Sequence, residues 1–301
     1  MEARRTQPTE IEALVAAIRT KTQELVDAKP GSDDRLNKRV RGEIDLITSQ
    51  LFGMSAKLDP VLRPDSIFDP ADPSTAGRVV SLTLLAQSKH PLSAIPEFYG
   101  AGVYAIYYRG KDFEPYSSLS GIDHPIYVGK ADPDTQIAKD AIAQGTKLSA
   151  RLHEHANSIR KAKSTLRIED FDCRFLVVQT GFQKAAEDHL INFFKPIWNS
   201  ETKICFGLGK HGDSAKTRGN KRSPWDTIHP GRKWADASPL DQKSRELIIE
   251  QIAAHLRSNP PYGDIHQIFE RFIADMRQLD TAHFYTPTHG TVPILEADER
   301  A

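Results

Sequence analysis

Residues 102–108 read GVYAIYY and residues 125–129 read PIYVG, and the fold turns on how these two runs are read. Both are dominated by β-branched and aromatic side chains, the types that suit a pleated, half-buried surface, and each is short enough to be a strand. The segment between them carries the turn-formers Gly110, Pro115, Gly121, Asp123 and Pro125. Antiparallel pairing is therefore the simplest arrangement. Such a pair brings Tyr104 and Tyr127 close together at one end of a small sheet.

Toward the carboxyl end, residues 131–146 are polar and without period, which predicts a loop. The run 147–163, KLSARLHEHANSIRKAK, predicts a helix with Leu148, Leu152, Ala156 and Ile159 inward. Arg151 and His155 stand one turn apart on one face of it, while His153 points elsewhere. From Lys147 to Arg167 six basic residues face a single acid, Glu154. The run from Cys173, CRFLVVQ, is almost wholly apolar and suits the centre of a sheet. A helix over 182–194 holds Glu187 and Asp188 and stops at Lys195-Pro196, followed by Ile197, Trp198 and Asn199. Residues 204–234 then carry seven Lys or Arg against two Asp, with Trp225 and Trp234 interleaved. A stretch this long with so little periodicity is functional or disordered, and its tryptophans and regular scatter of turn residues favour an ordered binding loop. Two amphipathic helices, about 239–257 and 264–279, precede an unpatterned end.

Toward the amino end, a helix over 76–87 is predicted, with Arg78 near its start as a candidate phosphate contact. Before it, residues 60–73 are rich in proline and aspartate and read as an extended connector. Residues 10–28 and 34–57 each carry a helical apolar stripe (Ile11, Leu14, Val15, Ile18, Leu25 and Val26; Leu36, Val40, Ile44, Ile47, Leu51 and Met54), separated by Pro30-Gly31. Thr9 and Glu12 form a capping box for the first. A helical hairpin follows, its apolar face to be covered by the next domain or by another subunit.

Composition adds boundaries. Forty basic and forty acidic residues cancel, so total charge favours no partner, although local basic stretches remain. Two cysteines, Cys173 and Cys205, are too few for a disulfide framework and read as buried thiols. No apolar run reaches the length of a membrane span, and the opening MEARRTQPTEIE lacks a signal-peptide core, so a cytoplasmic protein without membrane contact is expected.

Taken together, Gly102-Val103-Tyr104, Tyr127-Val128-Gly129, Lys130, Arg151 with His155, Glu187 and the segment KPIWN ending at Asn199 resemble, in type and order, the active site of GIY-YIG nucleases. Flanking runs narrow the resemblance to the type II restriction endonucleases of this class that cut CCGCGG. These are FDPADP with Gly77-Arg78 after it, GAGVYAIYY, IYVGKA, DFDCRFLVV, KPIWN and GNKRSPWDTIHPGR, spanning about Ile67 to Trp234.

The resemblance implies an α+β fold with a small antiparallel sheet flanked by helices. Its parts would be an N-terminal helical arm (1–66), a nuclease core (67–203), a basic DNA-binding loop (204–236) and a C-terminal helical extension (237–301). It implies Glu187 as the protein ligand of one Mg²⁺, a hard cation suited to carboxylate oxygen. Tyr104 would be the general base, assisted by the positive charge of Lys130 or Arg151, and Arg151 would also bind the phosphate oxygens. Tyr127 would bond the phosphate or the water, and Asn199 would brace the site. His155 stands where many GIY-YIG nucleases have another tyrosine, leaving open whether it orients Tyr104 or takes the proton itself.

DNA contacts are expected from Arg78, to phosphate, and from Lys210, Lys216, Arg218, Lys221, Arg222 and Arg232, to phosphates or to bases, since arginine and lysine can bridge guanine N7 and O6 in the major groove. Double-stranded DNA would be the substrate, a homodimer or tetramer the assembly, and a cognate DNA methyltransferase the partner protecting the host. Two other readings share these motifs: a repair or homing nuclease, and a DNA-binding module of the same fold without cleavage.

Overall fold

A computed structural model describes residues 9–29, 33–58, 69–135, 137–209, 221–238 and 240–281. The chain divides into two compact units, residues 1–66 with 282–301, and residues 67–281.

In the first unit, α1 (Glu10–Asp27) begins at the expected capping box: the Thr9 hydroxyl accepts from the Glu12 N–H and the Glu12 carboxylate returns the bond. Helix α2 spans Asp34–Leu58. The stripes anticipated on both are exposed, Leu14 at 57 % and Ile47 at 51 % among them, and α1 buries none of its residues. The turn expected to join them at Pro30-Gly31 lies outside the described residues.

The second unit is a sheet between two layers of helix. Helix α3 (Pro73–Leu85) starts three residues earlier than its apolar pattern suggests, because Asp72 caps it and Pro73 occupies the first turn. Then come β1 (His90–Pro91), β2 (Gly102–Tyr108), β3 (Tyr127–Ala131), α4 (Lys147–Lys161), β4 (Phe171–Val177) and α5 (Gln183–Phe194). The sheet order is β1-β4-β2-β3, antiparallel throughout, which makes the fold α+β. Tyr104 faces Gly129 and Ile106 faces Tyr127 across the β2–β3 pair.

Strand β2 is buried along its whole length. Because successive side chains alternate faces, it serves two cores at once. Tyr104, Ile106 and Tyr108 pack with Leu148, Leu152 and Ile159 of α4 and with Trp198 and Trp225. Val103, Ala105 and Tyr107 pack with Leu84 of α3 and Leu190 of α5. This explains why GVYAIYY lacks polar alternation. Both cysteines are free and buried.

Beyond α5 lie β5 (Lys221–Arg222), α6 (Pro224–Ile228), α7 (Lys233–Asp236), β6 (Leu240–Asp241), α8 (Arg245–Ser258) and α9 (Ile265–Thr281). Helix α8 inserts Ile248 and Ile252 into the first core, and α9 inserts Ile268 and Phe272 into the second. The C-terminal helices are therefore structural parts of this unit. No described helix is long and apolar enough to cross a membrane.

His124 fastens the tail. It is 5 % exposed, its Nδ1 accepts from the Tyr262 N–H at 3.3 Å, and its ring stacks on Tyr262 and meets Phe194 edge-on. Burial pushes its pKa down from 6.5 to about 4. The folded state thus prefers neutral imidazole, so the stability it confers is complete above pH 6.5 and is lost as pH falls toward 4. By pH 5 the loss from one such group is about 2 kcal/mol. Buried His229, also pushed well down by burial, acts in the same direction. Urea titrations at pH 7.5 and 5 should show this decline, and His124→Asn, which keeps an acceptor but does not titrate, should make it shallower. An unchanged slope in that variant would exclude His124 as a contributor.

Candidate active site

The site starts from two glycines of the strand motifs. A Cβ on Gly102 would lie 1.9 Å from the Leu176 carbonyl oxygen, and one on Gly129 would lie 2.4 Å from the Tyr104 hydroxyl. Glycine at 129 is thus what lets the phenol of Tyr104 lie across the neighbouring strand. Tyr104 then reaches α4, where its hydroxyl and His155 Nε2 are 2.6 Å apart. The rings of Tyr104, Tyr127 and His155 form one cluster, with centroids 5.1–6.1 Å apart.

Burial raises the Tyr104 pKa well above its ordinary value of 10, with Tyr127 adding to the rise and Arg151 offsetting part of it. Burial also raises Tyr127, against the opposing pull of Arg151. A cationic neighbour is present, as expected, but desolvation outweighs it, so in this structure Tyr104 is a neutral phenol.

Arg151 lies one turn before His155, as the spacing predicts. Its Nη1 donates to Glu154 at 2.6 Å and its Nη2 to the Gly209 carbonyl at 3.2 Å. The guanidinium borders a cavity of about 160 Å³ lined also by Tyr127, Glu187, Trp198, Asn199, Glu201 and Gly209. Although burial opposes its charge, Tyr104, Glu154 and Tyr127 more than compensate, so Arg151 stays cationic.

Glu187 enters this cavity from α5, on the other side of the sheet from α4, so the cavity straddles the free edge of β3. Burial raises the Glu187 pKa above 4.5, with Lys130 and Lys184 opposing and Asp188 and Glu201 reinforcing. Lys130 is ion-paired with Asp132, and its charge acts on Glu187. Asn199 holds the strand edge: its Oδ1 accepts from the Val128 N–H at 3.0 Å and its Nδ2 donates to the Val128 carbonyl at 2.8 Å. The amide thus takes the place of a missing neighbouring strand, each bond being worth about 1 kcal/mol.

Two parts of the site escaped the sequence reading, Glu201 and the Gly207–Gly209 wall. The only local signal for Glu201 is that it follows Asn199 by two residues, and an acid at a turn is usually just solvated. With Glu187 and Glu201 as carboxylates and Tyr127, Asn199 and Ser200 beside them, the donors are hard oxygens that fit a divalent cation retaining several waters. Among the described residues, no three His, Cys, Asp or Glu gather into a metal cage.

The candidate DNA contacts divide. Lys210, Lys216 and Arg218 lie outside the described residues. Lys221 is exposed at the start of β5. Arg222 is held by Asp241 through two bonds, at 2.6 and 3.0 Å. Arg78 on α3 lies close enough to act on the charge of His189, which faces Phe272 of α9, and does not line the cavity.

Arg232 corrects the expectation made for it. At 3 % exposure it is ion-paired with Asp226, itself 1 % exposed, and presents no donors at the surface. In sequence a buried arginine and a surface arginine look alike. Removing one partner of such a pair costs about 3–5 kcal/mol.

Comparison with curated proteins finds no match. The family model described as the Eco29kI GIY-YIG domain matches residues 96–256, more than half of the chain, and takes in Tyr104, Tyr127, Arg151, His155, Glu187 and Asn199. The chain therefore belongs to the Eco29kI family of GIY-YIG restriction-enzyme nucleases, with DNA as the partner that family implies.

Proposed function

We propose that this nuclease is a type II restriction endonuclease that cuts both strands of DNA at CCGCGG with one Mg²⁺. The observation supporting hydrolysis is the gathering of Tyr127, Arg151, Glu187 and Asn199 around one cavity, with the Tyr104–His155 pair behind it. The site CCGCGG is supported by the flanking motifs alone.

In this reading Arg151, always charged, grips the non-bridging oxygens of the scissile phosphate as charge accumulates. Tyr104 accepts the proton of the attacking water as its own proton moves to His155 Nε2. Tyr127 orients the water or the phosphate. Glu187, aided by Glu201, would hold the Mg²⁺, which when bound supplies Lewis-acid stabilisation of phosphate charge. Asn199 keeps the edge of β3, and with it Tyr127, in place.

Residues 204–236 would be the DNA-binding loop, with Lys210, Lys216, Arg218 and Lys221 as donors, joined by Arg222 if DNA displaces Asp241. A palindrome is cut on both strands by two sites, so a homodimer is the proposed assembly, acting in the cytoplasm beside a protecting methyltransferase.

Digestion of a mapped plasmid with Mg²⁺, followed by sequencing of the ends, tests this. Ends within CCGCGG on both strands are expected. Ends elsewhere would remove the proposed site, and sequence-selective retention without nicking would make the domain a binding module.

A further inference from the structure

We infer that Asp226 and Arg232 are positioning residues for Arg151: their buried pair fixes the Gly207–Gly209 wall that orients the catalytic guanidinium. The inference rests on the nuclease reading above.

Each nitrogen of the Arg232 guanidinium donates a hydrogen bond. Nε donates to Asp226 at 2.7 Å, Nη1 to the Leu208 carbonyl at 3.0 Å and Nη2 to the Gly207 carbonyl at 2.9 Å. Its central carbon lies over the rings of Trp225 and Trp234, at 4.6 and 4.8 Å from their centroids. The second oxygen of Asp226 takes the Ser223 hydroxyl at 2.5 Å. One guanidinium thereby joins residues 207–208 to residues 223–234, the two ends of the segment carrying Lys210, Lys216 and Arg218.

The next residue, Gly209, is where this scaffold meets the site. Its carbonyl accepts from Arg151 Nη2 at 3.2 Å. A Cβ added there would lie 2.7 Å from Arg151 Nη2 and 3.3 Å from the Tyr127 hydroxyl. A Gly-Leu-Gly segment has wide backbone freedom, so holding one carbonyl against the catalytic arginine requires an external restraint. The carbonyl bonds from Arg232 supply it. Stability alone does not demand an ion pair at such a place, since apolar side chains of similar volume often serve as well. What the pair adds is direction.

The test compares Arg232→Lys, Asp226→Asn and Gly209→Ala in the full chain by single-turnover cleavage, DNA affinity in Ca²⁺ at several salt concentrations, thermal melting, and the NMR resonance of the Arg151 Nε–H, assigned through Arg151→Lys. Lysine keeps the charge but cannot make the planar fork. Arg232→Lys is expected to lower the cleavage rate about a hundredfold, as small misplacements of a catalytic group do. Affinity and its salt dependence should stay as in the unsubstituted protein, and the Arg151 resonance should move.

Gly209→Ala, which leaves the pair intact, should reproduce the rate loss and the resonance shift without lowering the melting temperature; it keeps the test decisive if either pair variant fails to fold. Reduced affinity with a salt slope smaller by about one would instead make Arg232 a phosphate contact and overturn the inference. So would lower melting with an unmoved Arg151 resonance and an unchanged rate per folded molecule. Should the unsubstituted protein cut no DNA, the nuclease reading fails by itself, and the Arg151 resonance still decides whether the pair positions that residue.

Discussion

Glu187→Gln is expected to lower the rate of DNA cleavage at least about a thousandfold, the loss of roughly 4 kcal/mol of transition-state stabilisation. The substitution keeps the shape of the side chain and removes only its negative charge. Glu187 is partly buried at the cavity mouth, with a side-chain exposure of 18 %, and its only direct ion-pair neighbour among the described residues is Lys184 at 3.9 Å. Its role in holding the fold is accordingly small, and the melting temperature should hardly change.

Binding to the proposed site in EDTA or Ca²⁺ should persist, because losing an anion beside a phosphate does not weaken that contact. Loss of binding together with cleavage would show that Glu187 is structural. A pH dependence follows from the same carboxylate. Burial holds its pKa above 4.5 in the free protein, and metal binding requires the ionised form. Mg²⁺ affinity should therefore fall as pH is lowered through that raised value, at a higher pH than for an exposed glutamate, and Glu187→Gln should abolish this dependence in a metal-binding titration.

Tyr104→Phe should reduce cleavage about 100- to 10,000-fold, the usual range for removing a general acid–base group. The ring is fully buried and its packing against Tyr127 and His155 survives the change, so the variant should fold. Only the hydroxyl shared with His155 Nε2 at 2.6 Å is lost. Comparison with His155→Phe separates the two candidate acceptors. If the proton passes from water through Tyr104 to His155, both variants should be equally slow and the double variant no slower, as with residues acting as one unit. A His155→Phe enzyme with nearly full activity would leave Tyr104 acting without its partner. A Tyr104→Phe enzyme with nearly full activity would remove the tyrosine from the reaction.

Much of the core was legible before the structure. GVYAIYY and PIYVG announce a strand pair because their side-chain types and the turn-formers between them allow little else. Arg151 and His155 share a helix face because they are four residues apart. The two glycines of the strand motifs are steric requirements, met by the Leu176 carbonyl and the Tyr104 hydroxyl. Less legible was what buries β2. Missing alternation is the mark of cover on both faces, but it does not say which elements supply that cover, and both layers here include helices remote in sequence, α8 and α9.

Sequence by itself determined the strand pairing and the face shared by Arg151 and His155, because both depend on local periodicity and residue type, and it carried the motifs whose resemblance points to the family. Only the tertiary structure decided that Glu187 meets Arg151 around the free edge of β3, that Glu201 joins it in the cavity, and that Arg232 lies inside the protein bound to Asp226. Periodicity says which side chains share a face of one element. Which elements meet, and whether a charge lies in water or between two tryptophans, is settled by packing across distances that no spacing along the chain records.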